Sequence, residues 1–267
     1  MCPSQIGSNF QAIIYEKQGG IGYVTLNRPQ VLNIYNLQMR DELCQVLSAI
    51  RDDPEVMVAI FRGAGERAFC AGADLSEFLT APSPVIARQV RWERDVWGLF
   101  LGLPQPVIAA LHGYVLGSGI EIALCCDLRI ASEDVRFGLP EVSLGIIPAA
   151  GGTQTLPRTI GRAKSLEMLL TNRWIDAEEA LAVGLVNRVV PRRELFPTAE
   201  GVARKIVSLA PIAVRCAKEA IRRGTNMSLG EGLELERRLA DLTLSTQDAL
   251  EGVKASLEGV EPHFQNR

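Results

Sequence analysis

Along the first two thirds of the chain, short apolar runs bounded by glycine alternate with longer stretches in which apolar residues recur every three or four positions. Ala12 to Glu16 and Ile21 to Leu26 flank Gly19-Gly20 and read as two strands of a hairpin. Leu37 to Ile50 carries Leu37, Met39, Leu43, Val46, Leu47 and Ile50 at helical spacing. Val56 to Phe61, Pro106 to Leu111 and Leu128 to Ser132 read as strands, with helices expected over Val85 to Leu101 and Ser118 to Cys126. This βαβ rhythm predicts an α/β layer with partly parallel strands. After Pro191 the strand signal stops. Four helices are expected, over Phe196 to Ser208, Pro211 to Arg223, Leu229 to Leu242 and Asp248 to Leu257, with Pro211 at a first helical position and Gly224 as a stop. The chain therefore divides into an α/β core, 1–191, and a helical region, 192–267. Amphipathic helices without a core of their own must pack on that core or on a neighbouring subunit.

Composition narrows the function classes. With 267 residues, 47% hydrophobic and 22% charged, the chain is an ordinary globular one. A net charge of −3 and scattered arginines give no basic stripe, so neither nucleic acid nor an anionic membrane surface is expected as a partner. Six cysteines show no CxxC spacing, and the adjacent Cys125 and Cys126 read as buried free thiols. Only His112 and His263 are present, which disfavours a histidine-rich metal site. The first residues show no secretory-signal pattern, and no apolar run is long enough to span a membrane. A reducing, cytoplasmic setting is the expectation.

Three segments carry candidate chemistry. In Leu111 to Asp127 a strand ends at His112, and the glycine-rich turn Gly117-Ser118-Gly119 then opens a helix. The first N–H groups of a helix have no intrahelical partner, so the Ser118 N–H is available to an anion. Glu121 follows on the same face one turn later; it also fits as a favourable first-turn acid. In Arg67 to Phe78 an apolar run meets Ala71-Gly72-Ala73, where small side chains let a ligand approach the backbone and the Ala73 N–H. Asp74 with Glu77 has capping-box spacing, so Asp74 reads as a cap and not as a catalyst. In the third segment Pro140 sets Glu141 at an irregular point among Leu139, Val142, Leu144, Ile146 and Ile147. Apolar surroundings disfavour a charged carboxylate and suit a proton donor; a loop acid facing solvent is the alternative.

Taken together, the chain resembles the enoyl-CoA hydratase/isomerase, or crotonase, family. The resemblance rests on Leu26-Asn-Arg-Pro-Gln-Val-Leu-Asn33, Phe69-Cys-Ala-Gly-Ala-Asp74 and Leu116-Gly-Ser-Gly-Ile-Glu121. It continues through Pro140-Glu141, Gly145-Ile-Ile-Pro148, Gly151-Gly-Thr-Gln154 and Leu181-Ala-Val-Gly-Leu-Val186. It implies a spiral of ββα units whose C-terminal helices form a trimer, often paired into a hexamer. It implies an oxyanion hole from the Ala73 and Ser118 N–H groups. It further implies that Glu121 and Glu141 hold a water that adds across the 2,3 double bond of an enoyl-CoA to give a 3-hydroxyacyl-CoA.

The resemblance also implies contacts to the CoA ester. Its nucleotide lies by Arg28, Gln30 and Val31, and its pantetheine arm passes Ala71 and Gly72. Asp74, Leu75, Tyr114 and Gly117 line the same path, with Pro140 and Ala149 nearer the reacting end. Gln30 stands where a lysine is frequent, Ser118 where glycine is commoner, and Ala149 where a glycine often lies. Arg28 also fits as a surface charge at a strand end. The acyl pocket is expected along residues 78–97 and the C-terminal helices. No metal is expected, and no cofactor beyond the CoA of the substrate. An isomerase of the same family is the alternative activity, and a non-catalytic or RNA-binding relative a more distant one.

Overall fold

The computed structural model describes residues 4–5, 10–77, 83, 85 and 93–267. Strands β2 (Ile13–Gln18) and β3 (Ile21–Leu26) pair antiparallel around Gly19 and Gly20. Both glycines have positive φ, 57° and 79°, as a two-residue hairpin turn with the twist of its strands requires. Strand β1 (Ser4–Gln5) pairs with β2. Parallel to β3 run β4 (Val58–Gly63), β6 (Val107–Leu111), β8 (Leu128–Ser132) and β11 (Arg188–Val190). The resulting seven-stranded sheet has the order β1-β2-β3-β4-β6-β8-β11.

A second sheet is absent from the periodicity reading. Short strands β5 (Ala68–Cys70), β7 (Tyr114–Leu116), β9 (Arg136–Gly138) and β10 (Ile175–Asp176) form it in the order β10-β9-β7-β5. Two or three residues show no period, which explains why the sequence hides them. Each of β4, β6 and β8 is thus followed at once by a short strand of the other sheet. With the helices that come after, this is an α/β spiral of ββα units.

Strand β4 shows how the core divides. Ala59 and Phe61 face one cluster, with Leu43 and Leu47 of helix α1 (Leu37–Asp52), Phe100 of α2 (Val96–Gly102) and Ile120 of α3 (Ser118–Cys125). Val58 and Ile60 face the other, with Ile108, Ile130, Leu195, Ala199 and Ala203. A strand covered on both faces is apolar throughout, as parallel strands between layers are. The single helix expected over Val85 to Leu101 is interrupted at Arg94 and Asp95, where Asp95 caps α2 by accepting the Gly98 N–H; most of the stretch before that break lies outside the described residues.

The helical region begins as part of the core. After α4 (Gly152–Ile160), α5 (Arg162–Thr171) and α6 (Ala177–Ala182), helix α7 (Leu195–Val207) lays Leu195, Ala199 and Ala203 on the large sheet. Within that region it is the helices beyond α7, namely α8 (Pro211–Gly224), α9 (Leu229–Leu244) and α10 (Gln247–Glu258), that leave apolar residues uncovered, among them Ile221, Leu229, Leu244, Leu250 and Leu257. Gly224 does not act as the expected left-handed stop. It is the last residue of α8, and its Cα lies against that of Gly232, where the two helices cross closely. Among the described residues no helix is long and apolar enough to cross a membrane, and no cluster of metal-binding side chains occurs.

Candidate active site

Two backbone turns and two carboxylates meet at the end of the small sheet. The first turn follows β5. Ala71 N–H donates to Leu32 O (3.0 Å), Tyr35 N–H to Gly72 O (2.8 Å) and Asp74 N–H to Tyr35 O (2.8 Å). Tyr35 therefore bridges to Ala73 without using the Ala73 N–H. Asn33, fully buried, fixes the loop that presents Tyr35 by bonding Arg28 N–H, Ala64 O and Ala68 O. Nothing in the sequence pattern singled out Tyr35 for this task, because its contribution is made by its backbone.

The second turn follows β7, a separate strand that lies beyond His112, where the expected strand ended. Gly117 turns with φ +49°, donates its N–H to Gly138 O (3.0 Å), and hands the chain to α3. A Cβ on Gly119 would stand 2.1 Å from Cys70 O, so only glycine lets α3 press against the end of β5. A Cβ on Gly117 would stand 3.4 Å from Gly72 Cα and 2.7 Å from Glu141 Oε1. The two turns and Glu141 are therefore in mutual contact at Gly117. Among the described residues neither the Ala73 nor the Ser118 N–H donates to any protein group.

Glu121 lies in the first turn of α3 and is 3% exposed. Its Oε1 accepts N–H bonds from Ala150 (2.8 Å) and Gly152 (2.9 Å). Gly151, at φ +102°, turns the backbone between those two donors, and a Cβ on Gly152 would crowd Glu121 Oε1 at 3.0 Å. Burial raises the Glu121 pKa, and the two N–H bonds partly offset the rise. Gly151-Gly152 stood out in the sequence as a motif, but its role as the clamp on Glu121 needed the fold.

Glu141 sits on a 3-10 turn, Pro140–Leu144, which Gly145 ends in the left-handed region. Its Oε2 is sealed from solvent without a hydrogen-bond partner. Burial first, with the negative charge of Glu121 adding to it, raises its pKa to about 7, and its own backbone N–H offsets the rise in part. The expectation that its apolar sequence neighbours enclose it needs correction. Val142, Leu144, Ile146 and Ile147 are all exposed, and only Leu139 is buried. A 3-10 turn fans consecutive side chains outward, so it is the Gly117 turn and the field of Glu121, from elsewhere in the chain, that act on Glu141.

The remaining expected contacts fall in three groups. Ala71 and Gly72 belong to the first turn, and Gly117 to the second. Pro140 precedes Glu141, and Ala149 is exposed beside Ala150, the donor to Glu121. Arg28 is neither a free surface charge nor a free anion fork. It donates to Ile34 O (2.8 Å), and both terminal nitrogens approach Asp74 Oδ2 at 3.3 Å, so it straps the two loops together. Gln30 and Val31 are exposed on the adjacent turn, and Leu75 is exposed beyond Asp74. Tyr114 opens β7 and is exposed, and its ring packs edge-on against Trp174.

The capping box expected of Asp74 and Glu77 does not form. Asp74 N–H is already given to Tyr35 O, and Asp74 Oδ1 accepts from Ser76 N–H (3.3 Å) and Oγ–H (2.7 Å) instead. Glu77 accepts the Leu37 N–H (2.8 Å) at the start of α1. The expected acyl-pocket stretch, 78–97, lies largely outside the described residues.

Comparison with known proteins places the chain in a family. The family model described as enoyl-CoA hydratase/isomerase matches residues 16–267. The short-chain-enoyl-CoA hydratase of Clostridium acetobutylicum is 42% identical, covering 92% of this chain and 94% of that protein. The (E)-benzylidenesuccinyl-CoA hydratase of Thauera aromatica is 39% identical, covering 95% of this chain and 98% of that protein. The crystal structure of an enoyl-CoA hydratase from Bacillus anthracis superposes with a TM-score of 0.91 at 41% identity, over 96% of this chain and 100% of that one. Matched over nearly its whole length in sequence and in fold, this chain belongs to the enoyl-CoA hydratase/isomerase family.

Proposed function

We propose that the protein adds water across the 2,3 double bond of an enoyl-CoA thioester, giving a 3-hydroxyacyl-CoA. The observation that carries this reading is the unequal pair of carboxyls beside two unused backbone donors. The thioester oxygen takes the Ala73 and Ser118 N–H groups, which stabilise the charge that gathers there as the double bond is attacked. Glu121, with Oε1 held as an anion acceptor by two N–H groups, has Oε2 left to take a proton from water as its oxygen bonds the β-carbon. Glu141, whose raised pKa keeps much of it protonated near neutrality, gives its proton to the α-carbon. Transfer of one proton from Glu121 to Glu141 restores the starting state.

The reading needs no cofactor beyond the CoA of the substrate. Arg28, already shared with Asp74 and Ile34, offers the nucleotide a fixed positive charge more than a free bidentate fork. The apolar residues left uncovered on α9 and α10 support self-association through the tail, with a trimer the form the resemblance implies. The acyl group stays a class, because relatives of similar identity carry names for a short-chain and an aromatic acyl-CoA substrate.

Following the loss of enoyl absorbance with crotonyl-CoA and with longer, branched and cyclic enoyl-CoAs tests the reading. Hydration of at least one, with solvent oxygen-18 appearing at the β-carbon, is expected. Conversion of a 3-enoyl-CoA with no incorporated oxygen, or no turnover of any ester, would overturn it.

A further inference from the structure

Ser118 carries a hydroxyl that the fold does not use. The residue is 8% exposed, within a helix buried along its whole length. Among the described residues its Oγ has no hydrogen-bond partner. Yet it is not one of the sealed polar atoms without partners, which are Tyr15 Oη, Gln105 Oε1, His112 Nε2, Glu141 Oε2 and Asn172 Oδ1. A nine-tenths buried residue whose hydroxyl still touches solvent must open on a cleft. Its neighbours identify which one. Gly117, the residue before it, lies against Gly72 and Glu141, and Gly119, the residue after it, lies against Cys70 O, so Ser118 stands where the two turns and Glu141 meet.

A buried hydroxyl without a partner costs stability. A mid-helix serine normally bonds a carbonyl in the turn before it, as Ser165 does to Gly161 O and Thr159 to Thr155 O. At the first helical position there is no preceding turn to offer that acceptor. Two of the three staggered χ1 rotamers hold Oγ gauche to the residue's own nitrogen. In those rotamers O–H and N–H converge on one acceptor outside the helix.

We propose that the Ser118 hydroxyl is a third donor to the thioester carbonyl oxygen, acting beside its own N–H and that of Ala73 as negative charge develops there. The proposal rests on the acyl-CoA reading of the site. Three donors in place of two polarise the bound thioester further, and the added bond strengthens as the enolate forms. Glycine at this position keeps the N–H and loses only the hydroxyl.

The test compares wild type with Ser118→Gly and Ser118→Ala in two measurements. One is steady-state hydration of the preferred enoyl-CoA. The other is the absorption of a bound, non-hydrating cinnamoyl-CoA analogue, whose band moves to longer wavelength when its carbonyl is polarised. That second readout requires no turnover. The expected result is a kcat lower by about ten- to a hundredfold in both variants, KM within about threefold, and a smaller red shift. Equal kcat and equal red shift in wild type and both variants would overturn the proposal, as would a wild type that binds the analogue with no red shift. A wild type that polarises the analogue more than both variants but hydrates nothing would uphold the hydroxyl's role while refuting hydration. If Ser118→Gly is unstable, Ser118→Ala decides, since it keeps a side chain of similar size and removes the hydroxyl alone.

Discussion

The two glutamates occupy neighbouring pockets built on opposite principles. Glu121 is delivered by a regular helix, fully buried, and one of its oxygens is clamped by two backbone N–H groups. Glu141 is delivered by a 3-10 turn, partly buried, and one of its oxygens has no partner at all. Burial raises both pKa values; in the first pocket two N–H groups from a distant loop favour the anion, and in the second only the residue's own N–H does so, while a neighbouring anion opposes it. Two chemically identical side chains thereby become different reagents. The difference comes from what each pocket supplies to a carboxylate, and not from burial alone.

The largest test of that contrast is replacement of each carboxyl by its amide. Glu121→Gln keeps an oxygen for the Ala150 and Gly152 donors but cannot take a proton, so kcat is expected to fall about 10³–10⁴-fold. Glu141→Gln should cost about 10²–10³-fold. Both should bind a CoA-ester analogue nearly as wild type does. The double variant should lose little beyond the worse single one, since the two groups act as a unit. Rate assays with calorimetric binding check all three; a double loss equal to the product of the singles would mean the carboxyls act independently.

The pH profile sharpens the assignment of roles. With Glu141 as the acid and its pKa raised to about 7, kcat/KM for hydration should decline about tenfold per pH unit well above that value, as Glu141 gives up its proton before substrate arrives. Glu141→Gln should have lost this limb. A profile flat to pH 9 would assign the proton to another donor.

The smallest expected effect is on stability. Glu141 binds its proton more tightly in the folded chain than in the unfolded one, where its ordinary value is 4.5. Between about pH 4.5 and pH 7 the unfolded state ionises and the folded state does not, so stability falls across that window and then levels off. Glu141→Gln removes this loss. Discounted for partial exposure, it should stabilise the chain by about 1–3 kcal/mol at pH 8 and by almost nothing below pH 4. Denaturant melts at the two pH values measure the difference.

Much of this arrangement is legible in the chain. The hairpin around Gly19-Gly20 and helix α1 follow from local patterns long enough to show a period, and their observed ends differ from the expected ones by a few residues. The pairing of the short strands β5, β7, β9 and β10 into a second sheet was not legible, and it is what carries the two turns to one place. The Asp74–Glu77 pair illustrates the same limit. Its spacing is that of a capping box, but the N–H the box needs is taken by Tyr35, which lies 39 positions earlier than Asp74.

By itself, the sequence determined that a helix begins at Ser118 with its first N–H groups free and Glu121 on the same turn, because helix geometry ties residues three apart. Family resemblance added Glu141. Only the tertiary structure decided how the two carboxyls differ. The donors to Glu121 come from a loop 29 and 31 positions away, and the lack of a partner for Glu141 Oε2 is a property of the packed surroundings. Local pattern fixes where a side chain starts, and its proton affinity is set by whatever the fold brings against it.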